Sequence, residues 1–136
     1  MSASSNKAFE PPVTAAILVI GDEILSGRTK DKNIGFIADH LTAIGINLRE
    51  VRIVPDVEAE IVDAVNALRG RYDYVFTTGG IGPTHDDITA DCIAKAFGVG
   101  ISENPEAVAR MTRQYGDVAL FTPARRRMAR VPHGGI

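Results

Sequence analysis

The chain has 136 residues, of which 45% are hydrophobic and 24% are charged, and its formal net charge is −2. This length fits one α/β domain, and the small net charge argues against broad nucleic-acid binding, which needs a strongly basic surface. The single cysteine, Cys92, excludes an internal disulfide and favours a reducing, cytoplasmic location. The apolar run over residues 13–20 is too short to span a membrane and follows two prolines, so it predicts a core strand rather than a signal peptide.

The N-terminal part predicts a tail, a buried strand and an acidic loop. Residues 1–12 are polar and end in two prolines, which is typical of a flexible tail, and the predicted domain covers residues 13–136. Residues 15–20 are continuously apolar, as in a central parallel strand that is covered on both faces. Residues 21–32 predict a loop that carries three acids, namely Asp22, Glu23 and Asp31.

Helices and strands then alternate through the middle of the chain. The first helix is predicted to have Asn33 as its cap and to end at Gly45, with an apolar face of Ile34, Ile37, Ala38, Leu41 and Ile44. A second strand covers residues 46–54 and stops at a proline. The second helix ends at Gly70, and its apolar residues recur at helical spacing: Val57, Ile61, Ala64, Val65 and Leu68. Residues 72–77 predict the third strand.

The third strand leads into a glycine turn, two acids and a further helix. The turn contains Gly79, Gly80 and Gly82, which allow positive φ angles and a close approach of a ligand to the backbone. Three residues are candidate caps for the following helix: Asp86, Asp87 and Thr89. A strand, a glycine turn and a helix N-terminus together predict an anion site, because free N–H groups and the helix dipole converge there.

The pattern weakens toward the C-terminus. Residues 104–105 predict the start of a helix that ends at Gly116. Residues 122–123 predict a short helix, and residues 132–136 a turn. The short helix and the residues after it carry an arginine cluster: Arg125, Arg126, Arg127 and Arg130. Such a cluster is usually a solvated face; the more specific alternative is an anion contact from the same or a neighbouring subunit.

The order of these elements predicts the topology of the sheet. Strands that alternate with helices indicate a parallel sheet with right-handed crossovers and helices on both faces. The predicted strand order is 2-1-3, in which the loops after strands one and three are neighbours and ligands bind between them. This topology gathers five acids at one edge: Asp22, Glu23, Asp56, Asp86 and Asp87.

Several common motifs are absent from the sequence. It has no GxxxxGK[ST] run, so it is not a P-loop NTPase, and the glycine turn lacks the last glycine of the dinucleotide fingerprint and follows the third strand. No HExxH or Cys/His cluster indicates zinc, and no GxSxG elbow indicates a serine hydrolase. What remains is a glycine turn beside carboxylates.

The acids beside the turn imply a metal. Asp86 and Asp87 would repel a bare phosphate, with about 1 kcal/mol between unit charges about 4 Å apart in water and several times more near a protein surface. A divalent cation removes this repulsion, and Mg²⁺ is typically held by one or two carboxylates together with substrate phosphates. The residues therefore favour a metal-assisted site for a phosphate or pyrophosphate ligand.

Structural roles stay open for most of these side chains. An aspartate before a helix is usually a cap, so Asp86 and Asp56 are interpreted first as caps. For Asp87 the functional interpretation is favoured, because the glycine turn adjoins it. His85 is a candidate general base, although a loop histidine usually is not one, and Cys92 is expected to pack on the inner face of its helix.

Two motifs carry a resemblance to a known family. One is GDEIL over residues 21–25 with Gly27, and the other is TGGIGPTHDDIT over residues 78–89. Between them lie Asp31, Asn33 and Asp56. The motifs resemble the molybdopterin-binding domain of the MoaB/Mog family, closest to the CinA amino-terminal branch. The resemblance extends from residue 15 to the end of the chain and implies a three-layer α/β/α fold with a mostly parallel sheet.

The resemblance also implies ligands and roles. Mog-type members adenylylate molybdopterin with ATP and Mg²⁺, and their two functional aspartates match Asp56 and Asp87, the expected catalytic residues. Asp87 and Asp86 are the expected ligands of Mg²⁺ or another divalent metal. The glycine loop would cradle the phosphate end of molybdopterin or a nucleotide. The expected ligand-binding residues are Gly21, Asp22, Glu23, Gly27, Thr78, Gly79, Gly80, Gly82, Thr84, Asp86 and Thr89.

The branch decides which reaction is expected. The CinA branch is linked to metal-dependent cleavage of ADP-ribose and related pyrophosphates, so this is the expected activity; the alternatives are molybdopterin adenylylation and a non-catalytic binding or assembly module. A homo-oligomer, dimer or trimer, is expected. Deamidation of nicotinamide mononucleotide is not, because the deamidase domain of full CinA proteins is not in this sequence. Family members continue beyond the equivalent of residue 136 with a strand and a ligand loop, so the domain is expected to lack its C-terminal end.

Overall fold

The computed structural model describes residues 11–136, so most of the predicted tail lies outside the described residues. In the described part the elements are β1 (Thr14–Ile20), α1 (Asp22–Leu25), α2 (Asn33–Ala43), β2 (Asn47–Val54), α3 (Glu58–Arg69), β3 (Tyr74–Thr78), α4 (Thr89–Phe97), β4 (Ile101–Glu103), α5 (Pro105–Tyr115), α6 (Pro123–Arg126), a 3-10 turn (Arg127–Ala129) and β5 (Arg130–Pro132). No helix among them is both long and apolar enough to cross a membrane.

The main sheet has the predicted topology. Its three strands are parallel and lie in the order β2-β1-β3. The central strand β1 is buried on both faces because helices cover it from both sides, which explains its unbroken apolar sequence. The predicted strand order and the three-layer α/β arrangement are both confirmed.

The two faces of β1 pack against different helices. Ala16, Leu18 and Ile20 form a core with residues of α3 and with Cys92 of α4. Alternate strand residues point to opposite faces, so Ala15, Ile17 and Val19 face the other layer. The chain passes through α2 to reach β2 at one edge of β1, and through α3 to reach β3 at the opposite edge. Because both crossovers are right-handed, the two helices lie on opposite faces of the sheet, and α2 covers the face of Ala15, Ile17 and Val19.

A bulge in β2 places three of its apolar residues on one face, whereas Val54 packs on the other face beside Ile20. Ala15 pairs with Leu48 but Ala16 pairs with Glu50, so Arg49 is an additional residue in β2. Val51 and Ile53 then pair with Ile17 and Val19, and with Leu48 they share the α2 face of the sheet. The bulge explains why the apolar residues of this strand do not alternate regularly in the sequence.

The acidic loop and the first predicted cap differ from the prediction. Residues 22–25 form the short helix α1 rather than loop. Asn33 is the first residue of α2 and not its cap; instead the carboxylate of Asp31 accepts a hydrogen bond from the N–H of Ile34 at 2.8 Å. The acid is preferred here because the helix N-terminus carries free N–H groups and partial positive charge. Ile44, predicted on the apolar face, is exposed.

The predicted caps of α4 were wrong, whereas the two predicted helix starts near the C-terminus, at residues 104–105 and 122–123, are confirmed. No side chain caps α4, since Asp86 and Asp87 lie before its N-cap residue Ile88 in a separate turn. Asn104 caps α5 and Thr122 caps α6, each by accepting a backbone N–H with its side-chain oxygen.

A second small sheet was not predicted. β4 and β5 pair as antiparallel strands, with Ser102 opposite Val131. Each strand has only three residues, too few for an alternating pattern to be visible in the sequence. Their pairing brings the C-terminal segment, with Arg127 and Arg130, back against α4.

Candidate functional site

The glycine turn begins where β3 passes the end of β1. Gly79 has a φ of +87°, and a Cβ atom there would lie 2.0 Å from the carbonyl oxygen of Ile20. Only glycine fits this position, because both the backbone angle and the contact with β1 exclude a side chain. The turn is thereby fixed against the carboxyl end of the central strand.

The next glycine joins the turn to α4. A Cβ atom on Gly80 would lie 2.2 Å from the hydroxyl oxygen of Thr89, and the N–H of Thr89 donates to the carbonyl of Gly80. The Thr89 hydroxyl donates to the carbonyl of Gly79 at 2.8 Å, and the side chain is buried. Thr89, a predicted ligand-binding residue, thus holds the turn with its only hydroxyl, and its contact with a ligand stays a prediction.

Residues 82–87, the aspartate loop, fold back on themselves. The carboxylate of Asp87 accepts hydrogen bonds from the backbone N–H and the hydroxyl of Thr84, at 2.9 and 2.8 Å. Partial burial by itself would raise the pKa of Asp87, but these bonds, a bond from the N–H of Gly82 and the charge of Arg127 together lower it. Asp87 is therefore ionised at neutral pH.

Asp86 has a different environment from Asp87. Its side chain is 85% exposed, and one carboxylate oxygen lies 3.4 Å from Nε2 of His85, which is also exposed. The two acids that the sequence predicts as metal ligands therefore differ: one is held within the loop and the other reaches into solvent. Among residues 11–136, no group of three or more His, Cys, Asp and Glu side chains is arranged to hold a metal ion.

Asp22 and Asp56 meet at the ends of β1 and β2, as the predicted topology requires. Each carboxylate accepts the backbone N–H of the other residue, at 3.0 and 3.1 Å. Gly21 precedes them and donates to the carbonyl of Val54, which joins the same two strands. Asp56 does not cap α3, because the N-cap residue is Val57 and no side chain makes a capping hydrogen bond there.

A cavity of about 350 Å³ opens at the carboxyl ends of β1 and β3. Three predicted site residues line it: Glu23, Thr78 and Gly79. Lys30 and Lys32 also line it, although neither is among the predicted site residues. Their signal in the sequence is a pair of cations that flank Asp31 in the acidic segment.

The predicted residues therefore form neighbouring groups rather than one cluster. In the part of the chain that the structure describes, Asp56, Asp86 and Asp87 lie outside the lining of the cavity. Gly79 lines the cavity and leads within a few residues into the aspartate loop. Gly27, with a φ of +79°, turns the chain after α1, and a Cβ atom at this position would lie 4.0 Å from Nζ of Lys30.

Comparisons with known proteins agree with this architecture. A family model described as a probable molybdopterin-binding domain matches residues 16–133. The crystal structure of the protein CinA with unknown function from Thermoplasma acidophilum is 36% identical with a TM-score of 0.82, and the match covers 90% of this chain and 72% of that one.

Two curated relatives are similar over shorter stretches. A CinA-like protein from Syntrophotalea carbinolica is 42% identical over 102 residues, 75% of this chain and 25% of its own length. A protein named "Probable FAD synthase" from Caenorhabditis elegans is 51% identical over 84 residues, 62% of this chain and 16% of its own length. The chain thus spans a quarter or less of these two relatives. The family model and the CinA match cover most of the chain, and the chain belongs to the molybdopterin-binding domain family, as a MoaB/Mog-like domain of the CinA branch.

Proposed function

We propose that this domain binds a phosphorylated pterin or adenine nucleotide and cleaves a pyrophosphate bond, as in ADP-ribose, with a divalent metal. The observation that carries the proposal is the cavity at the ends of β1 and β3, which combines the backbone of Gly79 with Lys30 and Lys32. Backbone groups at a glycine turn and lysine ammonium groups are both typical phosphate ligands. The cavity lies at the switch point of the sheet, where ligands of this fold class bind.

The charges around the cavity favour a ligand with more than one phosphate. Lys30 and Lys32 attract phosphate, whereas Glu23 and Asp31 in the same lining repel it. We propose that a pyrophosphate with one end between the lysines would extend toward the aspartate loop. There Asp87 is ionised and Asp86 is exposed, so a divalent ion between these carboxylates and the second phosphate would offset the repulsion.

The proposed metal would take some of its ligands from the substrate. Asp86 and Asp87 supply two carboxylates, the number that Mg²⁺ commonly takes from a protein when phosphates and water complete its coordination. The ion would stabilise the charge that develops at the phosphorus centre. Asp56, held by Asp22, and Asp87 are the proposed catalytic carboxylates.

Adenylyl transfer is the second candidate. It is favoured by the C. elegans relative, whose name assigns it FAD synthesis, and by the resemblance to the Mog branch. Molybdopterin adenylylation and pyrophosphate cleavage place the same groups around a phosphorus atom, so the products distinguish them. A non-catalytic binding or assembly module is the third candidate.

Product analysis tests the proposal. The 136-residue chain is incubated with ADP-ribose, with FAD, and with ATP plus molybdopterin, each with Mg²⁺, Mn²⁺ or Co²⁺. The proposal expects metal-dependent release of AMP from ADP-ribose or FAD, with turnover lost in Asp87→Asn. An adenylylated pterin would favour the second candidate, and full turnover by Asp87→Asn would contradict the role of this residue. Equal ADP-ribose affinity with and without Mg²⁺ in titration calorimetry would contradict the metal.

The lysines allow a test of binding that does not depend on turnover. Removing one phosphate contact weakens binding by about tenfold, since a charge-assisted hydrogen bond contributes about 1.5 kcal/mol or more. We expect the Kd for ADP-ribose to rise about tenfold in Lys30→Ala or Lys32→Ala. Lys95→Ala is the matched control, because Lys95 pairs with Glu58 and does not line the cavity. Equal Kd values in all three variants would contradict the site.

We also propose that the chain self-associates. Val51 and Ile53 of β2 and Tyr74 of β3 share the α2 face of the sheet, and all three are more than one-third exposed. Phe36 on α2 is 76% exposed. Large apolar side chains that are exposed on neighbouring elements are typical of association surfaces. Light scattering of the purified chain should give a dimer or trimer mass; a monomer at 100 µM would contradict the proposal.

A further inference from the structure

We infer that Arg127 is a positioning residue of the aspartate loop. Its guanidinium group holds the two ends of the turn formed by residues 84–87, and so fixes the backbone that carries Asp86 and Asp87. For catalysis this inference rests on the proposed function, whereas the order of the loop can be tested without it.

The contacts of Arg127 are with the backbone of the loop. Nε donates to the carbonyl of Thr84 at 3.1 Å, and Nη2 donates to the carbonyl of Asp87 at 3.2 Å. The guanidinium group is planar and its N–H groups form a fixed fork, so two simultaneous contacts set the separation of the two carbonyls. Thr84 and Asp87 are also joined to each other directly. The N–H of Asp87 donates to the carbonyl of Thr84, and the N–H and the hydroxyl of Thr84 donate to the Asp87 carboxylate.

A second layer of contacts holds Arg127 in place. The carboxylate of Asp91 on α4 accepts a hydrogen bond from Nη2 of Arg127 at 3.3 Å. It also accepts hydrogen bonds from both terminal nitrogens of Arg130, at 2.9 and 2.8 Å. Arg130 also donates Nε to the carbonyl of Arg127. The three side chains are between 23% and 33% exposed, so they are partly shielded from water and the contacts are stronger than those of a surface pair.

This arrangement connects the C-terminal segment with the loop. Arg127 lies 40 residues beyond Asp87 in the sequence, at the turn before β5. The side chains of His85 and Asp86 are exposed, so these two residues do not fix the loop through burial. The hydrogen bonds of Arg127 therefore add to those between Thr84 and Asp87 in limiting how widely the loop samples other conformations.

A purely structural role for Arg127 is the alternative, in which it only fastens the C-terminal segment to α4. That role predicts a loss of stability without a selective change in the loop. Positioning predicts faster hydrogen exchange confined to residues 82–87, and a fall in kcat with little change in KM, since Lys30 and Lys32 still bind the ligand.

The test compares Arg127→Ala with Arg126→Ala. Arg126 is the matched control, because this neighbouring arginine binds Glu103 and makes no contact with the loop in the described part of the chain. We expect Arg127→Ala to speed hydrogen exchange of the amides of Thr84 and Asp87 about tenfold, the loss of about one hydrogen bond, while Arg126→Ala leaves them unchanged. Equal exchange in the two variants would overturn the inference.

Measurements of kcat and of its chemical rescue provide a second test. With ADP-ribose and Mg²⁺ we expect kcat to fall about tenfold or more in Arg127→Ala. Added ethylguanidinium should restore part of this kcat, because it supplies the missing guanidinium group. The kcat of Arg127→Lys should stay below the rescued value, because lysine lacks the planar fork of N–H donors. Unchanged kcat in a folded Arg127→Ala would overturn the catalytic part. Asp91→Ala, which keeps Arg127 and removes its anchor, replaces Arg127→Ala if that variant unfolds, with the same exchange criterion. If the wild type cleaves no pyrophosphate, the proposed function fails while the exchange comparison still decides the role of Arg127.

Discussion

Asp22 and Asp56 hydrogen-bond reciprocally, each carboxylate accepting the backbone N–H of the other residue. The bonds join the start of α1 to the segment after β2, 34 positions apart in the sequence. They also fix the carboxyl group that the resemblance to the Mog branch identifies as catalytic. One carboxylate thus has a structural role that is visible and a catalytic role that is proposed, and substitution can separate the two.

Asp56→Asn and Asp56→Ala should have different effects. The asparagine oxygen can still accept the N–H of Asp22, so we expect its free energy of unfolding to change by less than about 0.5 kcal/mol, whereas alanine loses the bond and costs about 1 kcal/mol. If the charge of Asp56 serves the reaction, both variants lose pyrophosphate cleavage. Urea unfolding and ADP-ribose turnover measure the two effects; an active Asp56→Asn would limit this residue to a structural role.

Gly79 and Gly80 are predicted to tolerate alanine far less than Gly98. Gly80 and Gly98 have nearly equal φ angles, +65° and +66°, but a Cβ atom meets Thr89 at Gly80 and meets nothing within 4 Å at Gly98. We expect Gly98→Ala to cost about 1 kcal/mol for the left-handed angle, and Gly79→Ala or Gly80→Ala at least about 2 kcal/mol more, because the turn must shift. Denaturant unfolding of the three variants checks this; equal costs would contradict the role of the close contacts.

Acid should weaken the contacts around Asp91. Hydrogen bonds from Arg130 lower the pKa of Asp91 below the ordinary value of 3.8. Its contribution to stability is therefore fully present above that value and is lost as the pH falls through the lower pKa of the folded state. We expect the stability of the wild type to fall more steeply below about pH 4 than that of Asp91→Asn.

Urea midpoints between pH 7 and pH 2.5 measure this difference. Asp39→Asn, at an exposed position of α2, is the control and should follow the wild type. Parallel curves for the wild type and Asp91→Asn would show that the ion pairs do not contribute. The pKa of Asp87 is also lowered, so part of the acid sensitivity should remain in Asp91→Asn.

Cys92 should be unreactive in the folded protein. It is buried in the core beside α3, and burial raises the pKa of its thiol to about 11. We expect no reaction with a disulfide reagent at pH 8 in buffer and one thiol per chain in concentrated guanidinium chloride. Fast labelling of the native protein would mean that α4 opens readily from the sheet.

The sequence by itself determined the class of fold and the edge of the sheet at which the candidate residues lie. Alternating strand and helix signals, with right-handed crossovers, leave few arrangements, and the predicted order β2-β1-β3 is the one observed. The glycine turn was also readable, because positive φ angles at Gly79 and Gly80 demand a residue without a side chain. The motifs identified the family, which the comparisons confirmed.

Only the tertiary structure decided what the individual acids do. Asp87 turns back to Thr84 instead of capping α4, and Asp56 binds the N–H of Asp22 instead of capping α3, because each carboxylate takes the donor that the folded backbone brings nearest. The same holds for Lys30 in the cavity and for Arg127 on the aspartate loop. Periodicity describes one element at a time, whereas these contacts depend on strand register and on distances between residues far apart in the sequence.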